Sequence, residues 1–236
     1  MTSGQNISNH FPIRTTEIFD IEHRNAQCDN LANFPIGLIH ATGGLINQRP
    51  IICGGESDEG FGVQISAKCY CYKSEQKAWK ECATMTTKRY LASSIVVNDS
   101  LLWITGGRSY DDKYIDLDST EFISTNGDVK LGTPLPNALS SHCMVNLNGS
   151  IMVVGRMRIG HQSKTLLYDT DTSKFTSSSG PTLITSERNF ACAVFNSSFH
   201  GDRPVAIVTG GGQTEVWNST KTQWEPCEYN AILLLY

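Results

Sequence analysis

The chain has 236 residues, 39% of them hydrophobic, with a formal net charge of −4 and a pI near 5.8. That length supports one domain with a large core, and the acidic balance excludes the basic stripe that a nucleic-acid partner demands. Apolar runs such as 231–236 fall far below the ~20 residues of a membrane-spanning helix, so no membrane insertion is expected.

Residues 1–15 read as an N-terminal extension, and residues 16–36 as the last two strands of a β unit, with Phe19 and Ala26 seven residues apart. Four fuller units follow, over about 37–86, 87–136, 137–183 and 184–228, with a remnant at 229–236. Each carries a short apolar run that ends in glycine. The runs are Ile51-Ile52-Cys53-Gly54-Gly55, Trp103-Ile104-Thr105-Gly106-Gly107, Val153-Val154-Gly155-Arg156 and Ile207-Val208-Thr209-Gly210-Gly211. Their first glycines lie 52, 49 and 55 residues apart. Each unit then places two residues seven apart: Tyr72 and Trp79, Phe122 and Val129, Tyr168 and Phe175, Trp217 and Trp224. That spacing turns a hairpin and faces two large side chains across neighbouring strands. No segment has helical periodicity, so each unit reads as four short antiparallel strands.

The stretch from the first glycine to the first aromatic is not constant. It falls from 18 residues (Gly54 to Tyr72) through 16 and 13 to 7 (Gly210 to Trp217). Insertions therefore concentrate between the second and third strands of a unit, where they leave the core intact. A glycine pair at the end of a strand implies close approach by neighbouring backbone, which two Cβ atoms would block. Gly155-Arg156 departs from the pair, so the third unit is expected to leave its second strand differently.

A period near fifty residues with a glycine pair and a spaced aromatic pair resembles the kelch repeat family, over roughly residues 16–228. The resemblance implies an all-β, kelch-type β-propeller with four complete blades and a partial N-terminal one. The chain ends twelve residues after Trp224, before a strand that would complete the partial blade. The expectation is a truncated product, or else a ring left open at an exposed strand edge.

Kelch propellers serve as enzymes, ubiquitin-ligase adaptors, actin binders and secreted proteins, so fold alone does not choose among them. The resemblance implies that loops after the second strands gather with the inter-blade loops at one channel mouth. Arg108 and Arg156 follow the glycines of their units, and Arg89 and Arg188 precede first strands. All four would project near that face and bind a protein or acidic peptide ligand through bidentate carboxylate contacts. The competing reading pairs these arginines with neighbouring acids that hold blades together; Asp58, Glu59, Asp111, Asp112 and Glu187 lie close in sequence.

Eight cysteines suggest an oxidising compartment. Registering Tyr72 opposite Trp79 brings Cys69 opposite Cys82, the expected disulfide, with Cys53 as the alternative partner of Cys69 or Cys71. Cys143 and Cys192 read as packing residues on successive first strands rather than as a bridge. A zinc site at Cys69 and Cys71 is disfavoured, on the expectation that one intervening residue sends the two thiols to opposite faces. Sequons at Asn98, Asn148, Asn196 and Asn218 fall in predicted turns and are glycosylation candidates; Asn6 begins a fifth. Together these point to an extracellular or secretory location, with a cytoplasmic one as the alternative. The first six residues have neither the basic patch nor the apolar core of a signal peptide, which would then belong to a longer chain.

An enzyme of the galactose-oxidase or sialidase kind is the alternative function. The six histidines form no pair at ligand spacing, and Gly210-Gly211-Gly212 is followed by neither a lysine nor a helix start. No metal, cofactor or catalysis is therefore expected.

Overall fold

The computed structural model describes residues 14–16, 31–57, 64–156, 163–175, 181–184, 191–197, 203–210 and 213–227. Most of the expected partial N-terminal unit, and the C-terminal remnant, lie outside them. The fold is all-β, with six antiparallel sheets among the described residues and a single 3₁₀ turn at Ser74–Gln76. None of the described helices is long and apolar enough to cross a membrane. The chain divides into two compact units: residues 1–104, 108–115 and 121–132, and residues 105–107, 116–120 and 133–236.

The first unit opens with β1 (Leu38–Ile39), β2 (Thr42–Ile46), β3 (Arg49–Cys53), β4 (Glu56–Ser57), β5 (Gln64–Ile65), β6 (Lys68–Lys73) and β7 (Ala78–Thr84). It continues with β8 (Ser93–Val97), β9 (Leu101–Thr105), β10 (Arg108–Asp111), β11 (Lys113–Asp116), β12 (Thr120–Ser124) and β13 (Val129–Leu131), whose ends at Thr105, Asp116 and Thr120 belong to the second unit. Two four-stranded sheets result, β2-β3-β6-β7 and β8-β9-β12-β13, as the glycine and aromatic spacing predicts. They share one core: Ile46, Ile51, Cys53, Cys69, Cys71, Ala83 and Met85 meet Leu102, Ile104 and Ile123. Their first strands approach closely. Ser94 Oγ donates to the Gly43 carbonyl at 2.8 Å and shares a 2.7 Å hydrogen bond with Thr42 Oγ1. A Cβ on Gly44 would press on Val96 and Leu102 at 2.7 and 2.8 Å.

The glycine pairs do what close approach requires. Gly54 has φ +68° and a Cβ there would lie 2.5 Å from the Arg89 carbonyl, while Gly55 N–H donates to that same oxygen at 2.9 Å. In the second unit Gly106 has φ +55° and a Cβ there would collide with the Leu139 carbonyl, to which Gly107 N–H donates at 2.8 Å. Both pairs adopt a left-handed backbone that glycine enters at little cost. Gly155 differs, as expected: its strand runs on through Arg156, pairing Gly155 with Lys164 and Arg156 with Ser163.

Three of the four predicted cross-strand pairs form: Tyr72 with Trp79, Tyr168 with Phe175, and Trp217 with Trp224. The fourth does not. Phe122 pairs with Lys130, and Ile123 takes the place opposite Val129. The turn there is one residue shorter, with Gly127 at φ +87° and Ser124 N–H donating to Asp128 O at 2.9 Å. Phe122 stacks instead on Trp103, rings 5.5 Å apart and 10° from parallel.

The expected Cys69–Cys82 disulfide is corrected. The β6–β7 register holds through Tyr70 opposite Glu81 and then shifts, so that Cys69 faces Ala83. Cys82 is left as the extra residue of a β-bulge. Cys69 instead bridges to Cys53, directly opposite on β3 with Cα atoms 4.0 Å apart, and Cys71 bridges to Cys82. Cys69 and Cys71 also share a face, contrary to the expectation, because pleating alternates with period two.

The second unit contains β14 (Cys143–Leu147), β15 (Ser150–Arg156), β16 (Ser163–Asp169), β17 (Lys174–Phe175), β18 (Ala191–Ser197), β19 (Arg203–Gly210), β20 (Gln213–Asn218) and β21 (Gln223–Pro226). They form two more four-stranded sheets in chain order. Val145, Leu147, Met152 and Val154 pack with Ala206, Val208, Trp217 and Trp224. Cys143 and Cys192, expected to be separate packing residues, form a disulfide between β14 and β18, Cα atoms 5.9 Å apart. Both first strands turn these residues toward one core, so packing position and bridge coincide. The three disulfides are compatible with an extracellular location.

Candidate recognition site

The longest insertions, after β3 and β9, fold into β-structure of their own. β4 and β5 pair, and β1 adds to β4 through Leu38 with Ser57 and Ile39 with Glu56. β10 and β11 form a two-stranded hairpin whose tip, Asp112, has φ +62°. The linker entering β8 runs beside them: Tyr90 and Arg108 exchange both backbone hydrogen bonds, at 3.0 and 2.7 Å.

This arrangement gathers an aromatic and charged surface in the first unit. Tyr90 is buried, with the Tyr114 ring 6.5 Å away on one side and the His40 ring 6.3 Å away on another. Tyr110 packs on Tyr114 with centroids 4.8 Å apart, yet the two remain 45% and 63% exposed. His40 Nδ1 lies 2.7 Å from Glu56 Oε2, a charged pair when the imidazole is protonated. Arg108 is half-buried. Burial pushes the Tyr90 phenol above its ordinary value, while the charge of Arg108 and its hydrogen bond to Tyr90 pull the other way. Tyr90 therefore stays protonated and anchors the guanidinium. Asp111, Asp112 and Lys113 are exposed around the hairpin tip.

Of the arginines named from sequence whose side chains are described, Arg108 enters this surface and Arg89 does not. Arg89 is corrected: its side chain is 0% exposed and donates through Nη2 to Glu121 Oε1 at 2.6 Å. Glu121 also accepts the backbone N–H groups of Thr86 and Thr87, at 2.7 and 3.2 Å. Burial pushes Arg89 below the ordinary guanidinium range, opposed by the hydrogen bond and charge of Glu121. Arg89 is thus a structural cation that ties the linker to β12, the competing role foreseen for it. Arg156 ends β15, but its side chain lies outside the described residues, as does the whole of Arg188. Tyr90, Tyr110, Tyr114, His40 and Glu56 escaped the sequence reading. Tyr110 and Tyr114, four apart around Asp111-Asp112, are the one local signal of an exposed aromatic hairpin.

Among the described residues no group of three or more His, Cys, Asp or Glu side chains is placed to hold a metal ion. His142 is buried and shares a 2.8 Å hydrogen bond with Thr105. The cluster offers hydrogen-bond donors and flat apolar faces, the composition that dominates protein recognition. No protein-family model matches the chain, and no curated protein matches its sequence.

Proposed function

We propose that the chain is a kelch-type β-propeller module, with four complete blades and a partial N-terminal one, that binds a protein or acidic peptide without catalysis of its own. Four four-stranded antiparallel sheets, recurring with the fifty-residue repeat, support the propeller. The exposed Tyr110–Tyr114 pair beside Arg108 carries the functional reading, because an aromatic platform next to a partly desolvated guanidinium suits a ligand with an apolar residue next to a carboxylate. The three disulfides support an extracellular setting.

The test is a panel of Asp/Glu-rich peptides, with and without an aliphatic neighbour, titrated against wild type, Tyr114→Ser and Arg108→Ala. Either substitution is expected to weaken the best peptide by about tenfold or more, a loss of about 1.4 kcal/mol. Arg108→Ala should also flatten the salt dependence. Equal affinity for all three proteins, or no peptide bound by wild type, rejects the site.

A further inference from the structure

The sequons at Asn98, Asn148, Asn196 and Asn218 are not equivalent in the folded chain. Asn98 sits in the two-residue turn from β8 to β9, with φ +52° and Asp99 at +54°. Asn148 sits in the matching turn from β14 to β15, with φ +53° and Gly149 at +87°. All three residues of each sequon, Asn98-Asp99-Ser100 and Asn148-Gly149-Ser150, are exposed. A Cβ on Gly149 would meet nothing within 4 Å, so open solvent surrounds that tip. Asn47 N–H donates to the Asp99 carbonyl at 2.7 Å beside the first turn, and Gly149 N–H donates to the side-chain oxygen Asn146 Oδ1 at 3.0 Å within the second.

Asn218 is different. It is half-buried, and its Nδ2 donates to Glu225 Oε2 at 3.0 Å. Its Oδ1 accepts the N–H groups of Thr220 and Lys221, both at 3.0 Å. Both ends of the amide are committed to the turn from β20 to β21. Asn196, expected in a turn, is instead exposed on β18 opposite Pro204, and Ser198 of its sequon lies outside the described residues.

We infer that Asn98 and Asn148 are N-glycan attachment sites and that the turn network of Asn218 keeps it bare. The inference rests on the extracellular reading above. The donor is a lipid-pyrophosphate-linked oligosaccharide. Asn Nδ2 loses one proton and bonds the anomeric carbon, whose bond to the phosphate oxygen breaks with its electron pair leaving on the pyrophosphate. At Asn218 a bulky substituent on Nδ2 competes with the bond to Glu225. At the two exposed turns it projects into water.

The position of Asn98 deepens the recognition proposal. Asn98 precedes β9 and Arg108 follows it, so a strand of five residues separates the glycan from the tyrosine cluster, about 17 Å at 3.3 Å per residue. A glycan at Asn98 leaves that end of the first unit open to a ligand.

The full chain should be expressed behind a secretion signal in a eukaryotic host and deglycosylated in ¹⁸O-water, which marks each formerly occupied asparagine by mass. Asn98 and Asn148 should be marked, each several times more than Asn218. Asn98→Gln and Asn148→Gln should each remove one glycan from the intact mass. Bare Asn98 or Asn148, or Asn218 occupied to the same extent, overturns the inference. A non-reducing peptide map of the same sample reports the disulfides and so judges the extracellular reading separately.

Discussion

In the first unit both disulfides lie inside one sheet, Cys53–Cys69 across β3 and β6 and Cys71–Cys82 across β6 and β7, and the paired sheets meet through glycine and serine contacts. In the second unit the bridge among the described residues, Cys143–Cys192, runs between sheets. The first unit also holds a buried ion pair, Arg89 with Glu121. The second unit likewise buries a carboxylate, Glu215 on β20, which accepts Ile184 N–H at 2.9 Å. One repeat plan therefore tolerates different fasteners, because the plan specifies strand spacing and the fasteners depend on which side chains meet. The units differ in loops as well. Stretches of 18 and 16 residues from glycine to aromatic are long enough to fold as β4–β5 and β10–β11 and carry the tyrosine cluster; the stretch of 7 before Trp217 is not.

Breaking the ion pair should have the largest effect on the first unit. Arg89→Met leaves Glu121 buried with two backbone donors but without its counter-charge, a loss of about 3–5 kcal/mol. Adding Glu121→Leu should not restore stability fully, because Thr86 and Thr87 N–H would then lack an acceptor, at about 1–3 kcal/mol each. Urea unfolding of the single and double variants measures both. A single variant as stable as wild type would mean that Arg89 is solvated, and would return it to the ligand face.

The two kinds of bridge can be ranked next. Cys143–Cys192 spans 49 residues and Cys71–Cys82 spans 11. In the chain-entropy account these constrain the unfolded chain by about 4 and about 3 kcal/mol. Cys143→Ser with Cys192→Ser should therefore lower the melting temperature more than Cys71→Ser with Cys82→Ser. The reverse order would mean that anchoring within a sheet outweighs loop length.

The four-stranded units were legible in the chain because a glycine-ended apolar run recurs about every fifty residues and is followed by two residues at a seven-residue spacing, which reports a local hairpin. The failures were also local in origin. A bulge at Cys82 and a turn shortened at Gly127 each add or remove one residue, and one residue moves every later pairing. Cys143–Cys192 was missed because it joins two sheets, where no spacing rule applies. The partner of Arg89 was missed because Glu121 lies 32 residues away in sequence. Of the candidate cluster, the place of Arg108 beside the inserted hairpin was legible from its position after Gly106-Gly107. Tyr110 and Tyr114 were not, because an insertion has no repeat to be compared with.

The smallest expected effect sits at the edge of the second unit, in the turn that keeps Asn218 engaged. Glu225 is held at about 2, below its ordinary 4.5, by the hydrogen bonds of Asn218, Lys221 and Gln223, with the charge of Lys221 assisting. A carboxylate depressed in the folded state contributes stability that is present above its ordinary value and is lost as pH falls through the folded one. The contribution of this turn should thus be complete above about pH 4.5 and fade toward pH 2. Glu225→Gln should flatten the acid limb of the melting curve slightly. Asn218→Ala removes the largest cause and should move the Glu225 titration upward, read by carboxyl chemical shift. A wild-type Glu225 that titrates at its ordinary value would dissolve the turn network. Asn218 would then be as available for modification as Asn98 and Asn148, and the distinction between the exposed turns and this one would go with it.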